Sequence, residues 1–212
     1  MKLYGFPLSP FVRKVVVAAR EKGLEYELIP ANPNQPSEEF LKVSPFSKIP
    51  AMSDGDFCLA DSTAIVTYLE AKHPDPALLP AEPRARGRAI WFEEVSDTVL
   101  IPAGAPIVVN RFLRPKIFGT EGDEAAAQAA EEAVAKPLAY LEGEVGEGWL
   151  VGDFSIADIS IACTLKTLGY AGWSLDKARY PGLAAWYDRV AAREGWQRAA
   201  DEETQVFASL GG

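Results

Sequence analysis

The residues best suited to chemistry lie where apolar runs turn into helices, and each such junction offers a hydroxyl, a carboxylate or an ammonium. In GFPLSPFVRKVVVAAR, Ser9 stands directly before Pro10 and an apolar-periodic run. That is the place of a helix N-cap with proline as the first helical residue. It is also where free N–H groups and partial positive charge favour an anion. A thiol of pKa near 8.5 falls about 2 kcal/mol short of being mostly ionised at pH 7. A serine hydroxyl donating to the thiolate could supply that, since a hydrogen bond to a charged group contributes about 1.5–3 kcal/mol. Taken alone, Ser9 is therefore either a plain cap or a donor to a bound thiolate.

Two further stretches carry similar pairs of readings. In VSPFSKIPAM, Ile49-Pro50 directly before a strand suits a cis peptide or an ordinary strand entry, and Lys48 suits a carboxylate partner or a surface charge. In LADSTAIVTYLE, Asp61 and Ser62 open an apolar-periodic helix as caps. The functional counterpart is a second anion site, with Ser62 gripping a carboxylate and Asp61 facing an amino group. A fourth stretch, GDFSIADI, has a folding explanation. Ser155 and Asp158 have capping-box spacing, and Phe154 and Ile159 occupy the hydrophobic-staple positions.

Bulk properties narrow the field. The 212 residues carry 21 basic and 30 acidic side chains, a net charge of −9, and are 48% hydrophobic. A globular chain with no basic stripe is not expected to bind nucleic acid. No stretch reaches the ~20 apolar residues of a membrane span, and no signal segment opens the chain, so a cytoplasmic protein is expected. Cys58 and Cys163 lie in apolar stretches without disulfide or Cys-x-x-Cys spacing, and His73 is the only histidine. Metal, thiol-redox and Ser-His-Asp mechanisms are thus disfavoured.

These residues must be held by elements that differ between the two halves. Lys2–Tyr4, Leu24–Ile29, Ala51–Met52 and Phe57–Leu59 read as strands, with Asp54-Gly55 as a hairpin turn. Pro10–Lys22, Ser37–Lys42 and Asp61–Lys72 read as helices, with His73 at a helix end. That order implies a mixed sheet with helices packed on it. HPDPALLPAEPRARG has proline at 74, 76, 80 and 83 and reads as a connector, which gives domains of 1–75 and 85–212 around a linker at 76–84. Beyond it the pattern is all-helical, over Arg84–Val99, Glu124–Glu144, Ile156–Leu168, Leu183–Arg193 and a short last helix. Pro102, Gly104 and Pro106 are expected to kink or break a helix.

Together LYGFPLSPFVRKV, VSPFSKIPAM, LADSTAIVTYL and GDFSIADI, in this order and over essentially the whole chain, resemble a cytosolic glutathione transferase of the serine type. The resemblance implies a thioredoxin-like α/β N-terminal domain followed by an all-α C-terminal domain. It implies that Ser9 activates the glutathione thiol and that Ile49, ahead of a cis Pro50, pairs with the cysteinyl backbone. Lys48 and Lys42 would meet the glycyl carboxylate, while Asp61 and Ser62 hold the γ-glutamyl end. Arg13 could assist or form a structural ion pair. Phe6, Leu8, Phe11, Pro106 and Phe112 are the expected walls for a small hydrophobic electrophile, in a cleft between the domains. Glutathione would be co-substrate, with no metal, and the protein a homodimer. Ser44 and Met52 depart from the family's usual Asn and Leu, and Tyr4 is the rival activator. Isomerisation, dehalogenation and a non-catalytic binding role remain alternatives on the same fold.

Overall fold

A computed structural model describes residues 1–209. The chain divides into two compact units, Met1–Leu78 with Glu194–Val206, and Leu79–Arg193. Residues 210–212 of the expected helical half lie outside the described residues.

The first unit is built on four short strands, β1 (Lys2–Gly5), β2 (Glu27–Pro30), β3 (Ala51–Asp54) and β4 (Phe57–Ala60), in the order β2-β1-β3-β4. β1 pairs parallel with β2 and antiparallel with β3, and β3 and β4 form the hairpin expected at Asp54-Gly55. Helices α1 (Pro10–Glu21) and α3 (Ser62–Lys72) pack side by side, while α2 (Glu38–Val43) packs against β3 and β4. Successive strand residues face opposite ways. Tyr4 thus joins Phe40, Val43 and Ala51 in a buried cluster with α2, and Gly5 turns toward α1. A Cβ on Gly5 would lie 2.5 Å from Val12 Cγ2, so the missing side chain lets α1 lie close on β1.

The second strand starts later than its apolar pattern suggests, at Glu27 rather than Leu24. The Leu24 N–H reaches back to Ala19 O (2.9 Å) to close the end of α1, and the Tyr26 hydroxyl is bound to Glu202 (2.9 Å). Parallel pairing begins only past those ties.

The stretch after α3 is fastened rather than free. His73 caps α3 through its N–H on Leu69 O. Buried Lys22 donates from Nζ to His73 O and Pro76 O, both at 2.7 Å, and pairs with Glu70 at 2.7 Å. Glu70 in turn accepts the Leu78 N–H. A buried ammonium and a buried carboxylate are costly alone, and here each satisfies the other.

The second unit runs through α4 (Pro83–Val95), a π-helical turn (Ser96–Leu100), α5 (Ile101–Val108), a longer π-helical stretch (Val109–Phe118), α6 (Glu124–Glu144), α7 (Ile156–Tyr170) and α8 (Pro181–Ala191). At Pro102, Gly104 and Pro106, where a kink or break is expected, the helix does not break. The helix instead changes hydrogen-bond register, with Ile101 N–H on Ser96 O, and so places Pro102 at the start of a new α segment. Asn110 Nδ2 then occupies Pro106 O at 2.8 Å. Gly104 is a packing residue: a Cβ there would come 2.7 Å from Leu168 Cδ2 on α7.

The capping box at Ser155 and Asp158 is present at the start of α7. Asp158 does more than cap. Its carboxylate accepts from Ser155 N–H (3.1 Å), Leu150 N–H (3.0 Å) and Trp186 Nε1 (2.8 Å). Burial pushes this carboxyl above the usual Asp range, and those donors pull it partly back. Phe154, at the staple position, lies between the Trp149 ring (5.0 Å) and the Arg193 guanidinium (3.8 Å).

The last helix, α9 (Glu194–Ser209), is longer than the short helix expected, and its residues through Val206 belong to the first unit. Trp196, Ala199 and Glu203 form its buried stripe. Glu203 pairs with Arg13 in a buried ion pair, and Glu202 binds Arg20 (2.6 Å) and Tyr26.

Candidate functional site

Strand register brings the three sequence stretches to one end of the sheet. Tyr4 is paired with Ala51 and Ala51 with Ala60. The loop carrying Ser9 leaves β1 at that end, the Ile49-Pro50 turn enters β3 there, and Asp61-Ser62 leaves β4 there. The N-termini of α1 and α3 therefore open on the same side, and both favour negative charge.

Ser9 has extended backbone angles (φ −68°, ψ 129°) and opens α1, with Pro10 as the first helical residue. Its carbonyl accepts the Arg13 N–H (2.9 Å) and its own N–H binds Phe6 O (3.0 Å). Its hydroxyl makes no cap hydrogen bond, and no partner engages it among the described residues. The backbone is placed as in a cap, yet the oxygen is left over. Tyr4 is buried, with its ring 6.3 Å from that of Phe40 in the α2 cluster.

The Ile49–Pro50 peptide is cis. Neither the N–H nor the C=O of Ile49 has a protein partner among the described residues. The loop before it is held by Ser44, whose type departs from the family pattern. Buried Ser44 Oγ accepts the Lys48 N–H (2.8 Å) and donates to Lys48 O (2.7 Å). Ser47, at φ 53°, is anchored by its hydroxyl on Pro33 O (2.7 Å). One small hydroxyl at residue 44 thus fixes both backbone groups of the residue preceding Ile49. The only sequence signal for it is its place before Pro45, where it departs from the usual Asn.

Asp61 sits at φ 95°, a left-handed conformation that costs a non-glycine residue about 1–3 kcal/mol. Three bonds hold it there: its N–H on Pro50 O (3.2 Å), its C=O under Ile65 N–H (3.0 Å), and Oδ1 under Ala64 N–H (3.0 Å). One carboxylate oxygen caps α3, and the other has no partner among the described residues. The Ser62 side chain is buried at the first turn, and its hydroxyl is unpartnered among the described residues. Lys42, in the last turn of α2, and Lys48 are exposed and make no ion pair among the described residues.

Phe6, Leu8 and Phe11 surround Ser9 in the sequence; Leu8 is buried and the two rings are half-buried. Pro106 and Phe112 belong to the helical unit, where Phe112 is buried against Tyr170 at 6.0 Å. Arg13 takes the structural role weighed for it, in its pair with Glu203. Cys58 is exposed on β4. Among the described residues no cluster of His, Cys, Asp and Glu suits a metal ion, and no helix is long and apolar enough to cross a membrane.

A mixed four-stranded sheet with two helix N-termini and a cis-proline turn at one end, joined to an all-helical unit, defines a thioredoxin-like protein with a helical second domain. Family models agree: residues 3–77 match the glutathione S-transferase N-terminal domain and residues 96–194 the C-terminal domain. The chain is 35% identical over 209 residues to glutathione S-transferase 3 of Zea mays, which covers 93% of this chain and 92% of that protein. A solved glutathione S-transferase from Rhodospirillum rubrum superposes with a TM-score of 0.86 at 30% identity, over 93% of this chain and 90% of that one. Another, glutathione S-transferase-I solved with lactoylglutathione, superposes at 0.82 and 28% identity, over 94% of this chain and 98% of that one. The chain belongs to the glutathione S-transferase family.

Proposed function

We propose that this protein is a serine-type glutathione transferase that joins the glutathione sulfur to small hydrophobic electrophiles. The observation that carries the reading is the Ser9 hydroxyl, free of any cap bond at the N-terminus of α1. Ser9 donates to the sulfur, and with the helix dipole it favours the thiolate over the thiol. The thiolate then attacks an electrophilic carbon. A C–S bond forms, and a leaving group such as chloride departs with its electron pair. Holding both reactants at one site contributes orientation as well.

The remaining groups match a tripeptide with anionic ends. The free N–H and C=O of Ile49 offer an antiparallel pair to the cysteinyl backbone. Lys48 and Lys42 face the glycyl carboxylate. The unpartnered Asp61 oxygen takes the γ-glutamyl amino group, and Ser62 at the α3 N-terminus takes its carboxylate. Local cations and dipoles must carry this attraction, because the whole chain is at −9. The burial of the Tyr4 ring supports Ser9 as the donor. A two-fold dimer follows from the same reading.

Retention on immobilised glutathione, together with conjugation of a chloronitroaromatic acceptor, tests the function. Retention with turnover is expected, and no glutathione binding at all would sink it. The same assay reads the Ser44 loop. Ser44→Ala removes both bonds to the Lys48 backbone, which should cost about 1–3 kcal/mol of stability. It should also raise the KM for glutathione several-fold with a smaller change in kcat, because it loosens Ile49 and leaves Ser9 alone.

A further inference from the structure

The C-terminal helix grips α1 at both ends. Near the start of α1, the Arg13 guanidinium is buried against the Glu203 carboxylate on α9. Near its end, Arg20 binds Glu202 at 2.6 Å, stacks 4.5 Å from the Tyr26 ring, and shares Glu202 with the Tyr26 hydroxyl. Desolvation and the Glu202 carboxylate push the Tyr26 phenol well up, so it stays a neutral donor there. The approach is close: a Cβ on Gly195, at the start of α9, would fall 2.7 Å from Glu21 Oε1. The two pairs on α1 lie seven residues apart, about 10 Å along the axis at 1.5 Å per residue.

Only the first pair touches the turn that carries Ser9. The Arg13 N–H donates to Ser9 O at 2.9 Å, closing the first turn of α1. The Ser9 hydroxyl has no cap bond, so apart from its own χ1 rotation its position follows the backbone of that turn. Whatever fixes Arg13 therefore fixes the direction in which Ser9 can donate. We infer that Glu203 is a positioning residue for thiol activation, acting through Arg13 from a helix 190 residues away in sequence. The role rests on the glutathione transferase reading above, and α9 is accordingly part of the catalytic unit rather than a tail of the helical half.

The sign of one measurement separates positioning from bare charge. Glu203→Gln removes a negative charge from beside Arg13, and the loss of a nearby anion would by itself lower the pKa of bound glutathione's thiol. Loss of positioning does the opposite. For Glu203→Gln, ultraviolet titration of bound glutathione should give a thiol pKa raised by about half a unit to one unit, with glutathione Kd within about twofold and kcat at pH 7 down about three- to tenfold. Glu203→Asp, which keeps the charge, should recover part of the loss. Glu202→Gln, at the far end of α1, should leave the thiol pKa unchanged. A lowered or unchanged thiol pKa in Glu203→Gln overturns the proposal, as does an equal shift in Glu202→Gln.

Native-state hydrogen exchange on the wild type covers the case in which Glu203→Gln does not fold. The amides of Arg13, Lys14 and α9 should open together with one free energy, separately from α3. First-turn amides that stay protected while α9 opens contradict the clamp. That result is independent of ligand, whereas a wild type that binds no glutathione overturns the reading of the site and with it the role of Glu203.

Discussion

Ser9→Ala should reduce turnover with a chloronitroaromatic acceptor at pH 7 by about 10- to 100-fold, while glutathione Kd changes little. The size follows from the hydrogen bond removed. A donor to a charged sulfur contributes about 1.5–3 kcal/mol, and each 1.36 kcal/mol is tenfold in rate. The pH dependence fixes the cause. A thiol whose pKa is held down by Ser9 is mostly thiolate at neutral pH. Without the hydroxyl its pKa rises, the thiolate fraction at pH 7 falls, and the rate recovers as pH climbs through the raised value. Equal rates for both proteins at every pH would assign activation to the α1 amides or to Tyr4. Binding should survive, because the Ile49 backbone, the lysines and Asp61 are untouched.

The largest effect on stability should come from Asp158→Ala. The carboxylate accepts Ser155 N–H, Leu150 N–H and Trp186 Nε1, so it joins the start of α7 to the preceding loop and to α8. Alanine leaves three donors without an acceptor in a site where Asp158 and Trp186 are fully buried. Unfolding free energy should drop by about 3–5 kcal/mol, at the upper end for a single substitution. In a chain of this size that is a Tm fall of about 6–20 °C. Burial holds the Asp158 carboxyl above its unfolded value. Its own titration therefore favours the folded state as pH falls through the window between the two values, and the contribution is lost as pH rises through the folded one. Acid unfolding must start elsewhere. Denaturant melts of the variant check the first statement, and a loss under 1 kcal/mol contradicts it.

Much of the fold was legible because it rests on local signals. Proline at the start of α1, Asp-Gly in the hairpin and Ser-x-x-Asp before α7 each specify a backbone geometry within a few residues. The register then gathers Ser9, Ile49 and Asp61 at one sheet end. The rest depends on partners far apart in sequence. Nothing near Arg13 or Tyr26 announces that Glu203 and Glu202 will meet them, so α9 read as a short last helix of the other half. Lys22 read only as the last residue of a helix, and its burial on Glu70 and two carbonyls depends on residues about 50 positions away. The proline-rich PAGAP read as a kink or break because proline is unfavourable in an α ladder. A π-helical change of register and the Asn110 side chain relieve that conflict. At the site, Ser44 read only as a departure from the usual Asn. Its role becomes visible only when its hydroxyl is seen holding both backbone groups of Lys48.

The proposed thiol activation turns on one oxygen, the uncapped Ser9 hydroxyl. The most direct test is the pKa of the glutathione thiol bound to the wild type and to Ser9→Ala, read from thiolate absorbance against pH with no second substrate present. A wild-type value at least one unit below that of free glutathione, returning most of the way in Ser9→Ala, is the predicted result. A bound thiol as basic as the free one, or a depressed value that survives Ser9→Ala unchanged, would contradict it.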